Sequence, residues 1–280
     1  MNDSDIAHAI KINVAEALAE DLGSGDLTAR LISADQLSRA ALITREQMIL
    51  CGKPWFDAYF KTLNPLVNII WRADEGDRVE PNATLCEIHG NTRALLSAER
   101  SALNFLQTLS AVATATRAFV DTVAGTHALI MDTRKTLPGL RIAQKYAVKI
   151  GGGANQRIGL FDGILIKENH IAAAGGIKAA LDAAQHQAGA GVSIQIEVES
   201  LVELQQALDA DAKLILLDNF SLEQMREAVR VTQQRAALEA SGGITLDNVR
   251  AIADTGVARI SIGGLTKHVR AVDLSLRIHS

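Results

Sequence analysis

SIQIEVESLVELQQALDADAKLILLD, Ser193–Asp218, sets the fold. In SIQIEVE the side chains alternate, with Gln195, Glu197 and Glu199 on one face and Ile194, Ile196 and Val198 on the other. LVELQQALD then has helical character, and KLILLD is strand-like again. Strand, helix and strand in succession make a βα unit. If the apolar face of the first strand meets the helices, its carboxylates point inward, where they need cationic or hydroxyl partners.

The same rhythm runs outward from Ala128. The strand candidates are ALIMDT, GILIK, SIQIEVE, KLILLD, ALEAS and ARISIG, and between them lie GLRIAQKYAVKI, GIKAALDAAQHQ, LVELQQALD, LEQMREAVRVTQQ and LDNVRAIADTG. Repeated βα units predict a parallel sheet with helices outside it, closed as a barrel or open and doubly wound. A barrel is the favoured form, and six strands rather than eight make it incomplete. Up to about residue 115 the pattern is that of an α+β domain. A helix-like start, AHAIKINVAEALAEDL, precedes the alternating runs ALITREQMIL, NIIWRADEGDRV and ATLCEIHG. Between the two regions, SAERSALNFLQTLSAVATATRAFVDTVAG spaces Leu103, Leu106, Val112, Phe119 and Val123 as a helix does, and is expected to form one or two long bridging helices.

Composition narrows the function. The 280 residues are 48% hydrophobic and 21% charged, enough apolar material for a core. A net charge of −4 gives no general attraction to nucleic acid, so any positive cluster serves a particular site. There is no apolar run of about eighteen residues to span a membrane, and MNDSDIAHAI lacks the features of a signal peptide. The expected location is the cytoplasm. Cys51 and Cys86 form no CxxC pair and the seven histidines no HxxxH pair, so neither a disulfide nor zinc is signalled, and the thiols are expected to pack as small hydrophobes.

In a parallel barrel the loops after the strands build the active site. Those ends carry Arg134 and Lys135, then Lys167 and Glu168, Glu197 and Glu199, Asp218 and Asn219, Ser241 to Gly243, and finally Gly263 and Gly264. One such charge alone is ordinarily a solvated rim residue; their joint placement argues for a pocket. Gly151 to Gly153 either end a helix or admit an anion to the backbone. SGGITLDN and IGGLTKH, after the last two strands, match the place where such barrels hold phosphate, with glycine for close approach and a following helix N-terminus. Arg134, Lys135, Arg157 and Lys167 beside Glu197 and Asp218 indicate a polyanionic substrate, the acids meeting ribose-like hydroxyls or a magnesium ion. Glycosyl or phosphoryl transfer fits this set, and a Schiff-base lyase using Lys167 is the alternative enzyme class.

The motifs EDLGSGDLT, SAERSALNFLQ, MDTRKTLPGLR, GGGANQR, ILIKENHI, IEVES, LLDNF, SGG and ISIGGLTKHV resemble, in order and spacing, those of the quinolinate phosphoribosyltransferase family, from about Ala19 to Leu276. DTRKT with KENH is the specific pair. The resemblance implies an N-terminal α/β sandwich over residues 1–115, an irregular, incomplete α/β barrel over 116–267, and a tail of about 268–280 packed back on the first domain. It implies transfer of phosphoribosyl from phosphoribosyl pyrophosphate to quinolinate with decarboxylation, with Mg2+ as cofactor, in a homodimer. By motif, Arg134, Gln156, Arg157 and Lys167 would bind quinolinate, with Arg100 reaching in from the partner subunit. Lys135, Glu197, Asp218, Ser241, Gly242 and Gly263 would hold phosphoribosyl pyrophosphate, and Glu197 and Asp218 the magnesium, directly or through water. Arg134, Lys135, Lys167, Glu197 and Asp218 would be the catalytic set. Three positions depart from the family pattern: Gln156 where His is usual, Ala111, and Arg259. Gln156 supports an alternative reading, a catalytically altered homologue that binds phosphorylated or dicarboxylate ligands. On the main reading it is expected to weaken quinolinate binding more than catalysis.

Overall fold

A computed structural model describes residues 1–279. The elements in chain order are α1 (Asp3–Asp21), β1 (Leu37–Thr44), β2 (Met48–Ile49), α2 (Lys53–Leu63), β3 (Asn68–Trp71), β4 (Arg78–Val79), β5 (Thr84–Asn91) and α3 (Thr92–Thr122). There follow β6 (Leu129–Met131), α4 (Arg141–Ile150), β7 (Gly163–Ile166), α5 (Glu168–Ala174), α6 (Ile177–Gln187), β8 (Ser193–Val198), α7 (Leu201–Asp209) and β9 (Leu214–Asp218). The chain ends with α8 (Leu222–Thr232), β10 (Ala237–Ser241), α9 (Val249–Ala253), β11 (Arg259–Ser261), α10 (Gly264–Lys267) and β12 (Leu274–His279). Two compact units result: residues 1–117, 136–152 and 265–280, and residues 118–135 and 153–264. Within the described residues no helix is long and apolar enough to cross a membrane.

The first unit is built on an antiparallel sheet of order β12-β1-β5-β3. Alternation along β1 turns Ala40 and Leu42 into the core, where they meet Leu85 and Ile88 of β5. Phe56, Tyr59 and Phe60 recur at helical spacing on α2, and Leu95, Ala98, Ala102 and Leu106 do so on α3; both stripes complete the same core. Cys86 lies in this core and Cys51 is buried as well, both unpaired, with burial raising their thiol pKa values. They are packing residues. The C-terminal strand β12 pairs antiparallel with β1 from Arg39–His279 to Thr44–Leu274.

The contact boundaries depart from residues 115 and 267. Residues 136–152 group with the first unit because α4 packs against α1, Tyr146 stacks at 5.3 Å on Trp55, and Asn13 Nδ2 donates to the Gly139 carbonyl at 3.1 Å. The segment expected to be one or two helices is a single helix, α3. Of the three consecutive glycines, Gly151 caps α4 in a right-handed conformation, and Gly152 follows with φ +92°. Gly151 is there for contact: an added Cβ would stand 2.6 Å from both the Ala113 carbonyl oxygen and Thr116 Cβ on α3, and its own carbonyl accepts from Arg117 Nε at 2.9 Å. The helix-end reading of this triplet therefore accounts for Gly151 and Gly152.

The second unit holds a six-stranded sheet of order β6-β11-β10-β9-β8-β7, with every pairing parallel. Neighbours follow chain order from β7 to β11, and β11 then returns to β6. An open doubly wound sheet reverses direction at a switch point instead. The sheet thus curls, and its gap falls between β6 and β7, where Ala154 bridges Met131. Side chains confirm the curl: Gln195 on β8 reaches Glu239 on β10 across the intervening β9, as inward residues of alternate strands do in a barrel layer.

Because no side chain at position 151 fits without displacing α3, Gly151→Ala is expected to destabilise the protein by about 1–3 kcal/mol in urea denaturation. Unchanged stability would show that α4 and α3 move apart readily.

Candidate active site

The C-terminal ends of four of the six parallel strands carry charged candidates and the other two carry glycine turns, each set by local structure. After β6, the Lys135 N–H donates to Thr133 Oγ1 at 3.1 Å, which turns the chain at Arg134–Lys135. In the gap, Asp132 anchors the next basic residue: its carboxylate accepts from Asn155 Nδ2 at 2.6 Å and from the Gln156 N–H at 2.8 Å. Arg157 follows, its Nη1 donating to the Gly163 carbonyl at 2.9 Å. Burial, and then the charge of Arg134, lower the Arg157 pKa from its ordinary value, against the attraction of Asp162. The two guanidinium charges therefore oppose each other, which favours the binding of an anion that neutralises them.

After β7, the Lys167 N–H donates to His170 Nδ1 at 3.0 Å, so the KENH spacing closes the first turn of α5. The Lys167 ammonium meets Glu197 of β8 at 2.8 and 3.1 Å. Glu197 is 9% exposed and Lys167 46%, so the carboxylate is the enclosed partner and the lysine its lid. Glu199 belongs elsewhere: it lies beyond the end of β8, is exposed, and its N–H donates to Glu203 of α7, because strand alternation stops at Val198.

At the end of β9, Asp218 accepts from Asn219 Nδ2 at 2.9 Å, and the Asn219 N–H donates to the Ser241 carbonyl at 3.0 Å. Gly242 has φ +105°, and an added Cβ would lie 2.1 Å from Asn219 Oδ1, so the SGG loop and the Asp218 loop interlock through a position open to glycine alone. The helix expected over LDNVRAIADTG starts later, at Val249, and has five residues, because Asn248 first closes a turn with Thr245 and Gly243. Helix α10, by contrast, begins at Gly264 itself. Gly263 meets the Arg134–Lys135 turn: an added Cβ would stand 2.9 Å from Lys135 Cδ. The structure thus gathers Arg134 with Arg157, Lys135 with Gly263, Lys167 with Glu197, and Asp218 with Ser241 and Gly242. Arg100 stands in the other unit, exposed on α3, with no hydrogen bond or ion pair among the described residues.

One functional candidate escaped the sequence reading. Glu239 on β10 is fully buried, and its carboxylate accepts from Gln156 Nε2, from Gln195 Nε2 at 3.0 Å and from Ser261 Oγ. Nothing near it in ALEAS marks it, since all three donors come from distant segments. The donor of Gln156 is thereby directed to the barrel interior.

For magnesium the donor set is sparse: the described residues contain no group of three or more metal-ligating side chains. Glu197 and Asp218 on adjacent strands suit an ion held by one or two carboxylates and completed by water and substrate oxygens.

Two family models match in sequence order: the quinolinate phosphoribosyl transferase N-terminal domain over residues 26–110 and its C-terminal domain over 112–277. A solved nicotinate-nucleotide pyrophosphorylase from Francisella tularensis is 45% identical, covers 97% of this chain and 96% of its own, and superposes with a TM-score of 0.93. A probable nicotinate-nucleotide pyrophosphorylase [carboxylating] from Bacillus subtilis is 41% identical over 92% of this chain and 90% of its own. Its counterpart from Mycobacterium leprae is 40% identical over 96% of each. A parallel barrel with paired charges on one rim, joined to this N-terminal unit and matched along nearly its whole length, belongs to the quinolinate phosphoribosyltransferase family.

Proposed function

We propose that the protein transfers phosphoribosyl from phosphoribosyl pyrophosphate to quinolinate with decarboxylation, giving nicotinate mononucleotide, pyrophosphate and CO2. The observation that carries this reading is the charge repulsion between Arg157 and Arg134 in the same unit as the Lys167–Glu197 pair. Three cationic side chains in one unit match the two carboxylates of a pyridine dicarboxylate. Lys135 against Gly263, with Asp218, Ser241 and Gly242 in one interlocked loop pair, forms a second anion-binding region for the phosphoribosyl substrate.

Arg134, Arg157 and Lys167 hold quinolinate so that its ring nitrogen faces the anomeric carbon. A carboxylate of quinolinate competes with Glu197 for the Lys167 ammonium, and the displaced Glu197 is freed to serve the phosphoribosyl substrate and its magnesium. Lys135 takes pyrophosphate oxygens, while Ser241, Gly242 and Gly263 receive the 5′-phosphate. As the carbon–nitrogen bond forms, the bond from the anomeric carbon to pyrophosphate breaks and its electron pair leaves with pyrophosphate. A magnesium ion held by Glu197 and Asp218 would neutralise charge on that leaving group. The new pyridinium then accepts the electron pair freed when the adjacent carboxylate departs as CO2, and a solvent proton takes its place on the ring. No covalent enzyme intermediate is required. Lys167 sits in an ion pair, the disposition of an anion-binding ammonium, whereas Schiff-base chemistry requires a neutral amine.

A homodimer, with Arg100 of one subunit serving the other's site, completes the proposal; the exposure of Arg100 and its lack of partners among the described residues support it. A cytoplasmic location accords with it.

The direct test is release of labelled CO2 from quinolinate labelled at the 2-carboxylate. Release that needs quinolinate, phosphoribosyl pyrophosphate and magnesium together, with nicotinate mononucleotide as product and nicotinate inactive as acceptor, is the expected result. No release from folded protein that binds quinolinate would favour a non-catalytic homologue. Gly263→Ala pushes on the flexible Lys135 side chain, not on backbone. The KM for phosphoribosyl pyrophosphate is expected to rise about fivefold or more while that for quinolinate and the Tm hold steady. Equal changes in both constants would remove Lys135 from the phosphoribosyl side.

A further inference from the structure

A fully buried carboxylate is costly unless its oxygens are satisfied, and removing one of its donors exposes that cost. Glu239 meets the requirement with three neutral donors drawn from three separate segments: Gln156 in the barrel gap, Gln195 on β8 and Ser261 on β11. No cation is bonded to it among the described residues. Gln156 gives its amide to both oxygens of Glu239 and also stands 3.4 Å from Gln195 Oε1, while its backbone N–H is held by Asp132. Both ends of this residue are therefore fixed by buried carboxylates, and the next residue is Arg157.

We infer that Glu239 is a positioning residue for the dicarboxylate substrate. It works through Gln156, whose amide it holds, and so fixes the segment that carries Arg157. This rests on the proposed function for the identity of the substrate. It assigns Gln156 a role facing inward, toward Glu239, in place of direct donation to quinolinate. The amide needs only to supply an N–H to the carboxylate, which a neutral imidazole also supplies.

The test compares Gln156→Met, Glu239→Gln and the double variant by steady-state kinetics, with Tm recorded for each. Gln156→Met keeps length and loses the donor; Glu239→Gln keeps shape and loses an acceptor oxygen. Each single change is expected to raise the KM for quinolinate about tenfold or more. In Gln156→Met the KM for phosphoribosyl pyrophosphate should stay within about twofold. The double variant is expected to be no worse than the poorer single one, because both remove the same hydrogen bond. Gln156→His, which restores an N–H, is expected to recover most of what Gln156→Met loses.

Unchanged quinolinate KM in the folded single variants would overturn the inference. So would multiplying effects in the double variant, or a loss shared equally by both substrates with a fallen Tm, which marks packing alone. If the unaltered protein failed to turn over at all, the functional reading would fall. Calorimetric titration of quinolinate into the same variants would still decide the inference, by the same tenfold loss of affinity or its absence.

Discussion

The return of β11 to pair with β6 is the constraint on which the second unit depends. Parallel strands in chain order need crossovers on one side only, and once the last strand meets the first the sheet acquires an inside. All six strands then point their C-terminal ends to one rim. Residues as distant as Lys135 and Gly263, or Asn219 and Gly242, become neighbours without any one loop being long. The gap between β6 and β7 is filled by the segment around Ala154 to Arg157, which brings a polar residue into the layer shared by Gln195 and Glu239.

Two kinds of charge arrangement coexist on this rim. Lys167 and Glu197 compensate each other, and the enclosed carboxylate has its counter-ion in hand. Arg134 and Arg157 repel, and both burial and repulsion act against the charge of Arg157. An anion that enters there relieves the repulsion, and one that reaches Lys167 exchanges one carboxylate for another. Substrate binding in this account redistributes charges already in place, so little reorganisation is left for the reaction itself.

Much of this was legible in the sequence because it follows from period and order. The strand in SIQIEVE, the repeated βα rhythm and the glycines after the last two strands each depend on neighbours in the chain, and each appears in the structure, the strand one residue shorter. The features that were not legible depend on distant partners. Glu239 is one acidic residue in a five-residue strand, and its three donors lie 22, 44 and 83 positions away. Residues 136–152 sit between two barrel strands in sequence, yet Tyr146 finds Trp55 and Gly139 finds Asn13 in the first unit. Glu199 continued the alternation on paper, but the strand ended one residue earlier.

The most direct measurement is a crystal structure of the protein with quinolinate and a non-reacting analogue of phosphoribosyl pyrophosphate. The account predicts Arg134, Arg157 and Lys167 on the quinolinate carboxylates, Lys135 and the Gly242 and Gly263 loops on phosphate oxygens, and Gln156 still bound to Glu239. Quinolinate seated away from these three cations, with Lys167 still paired only to Glu197, would contradict it.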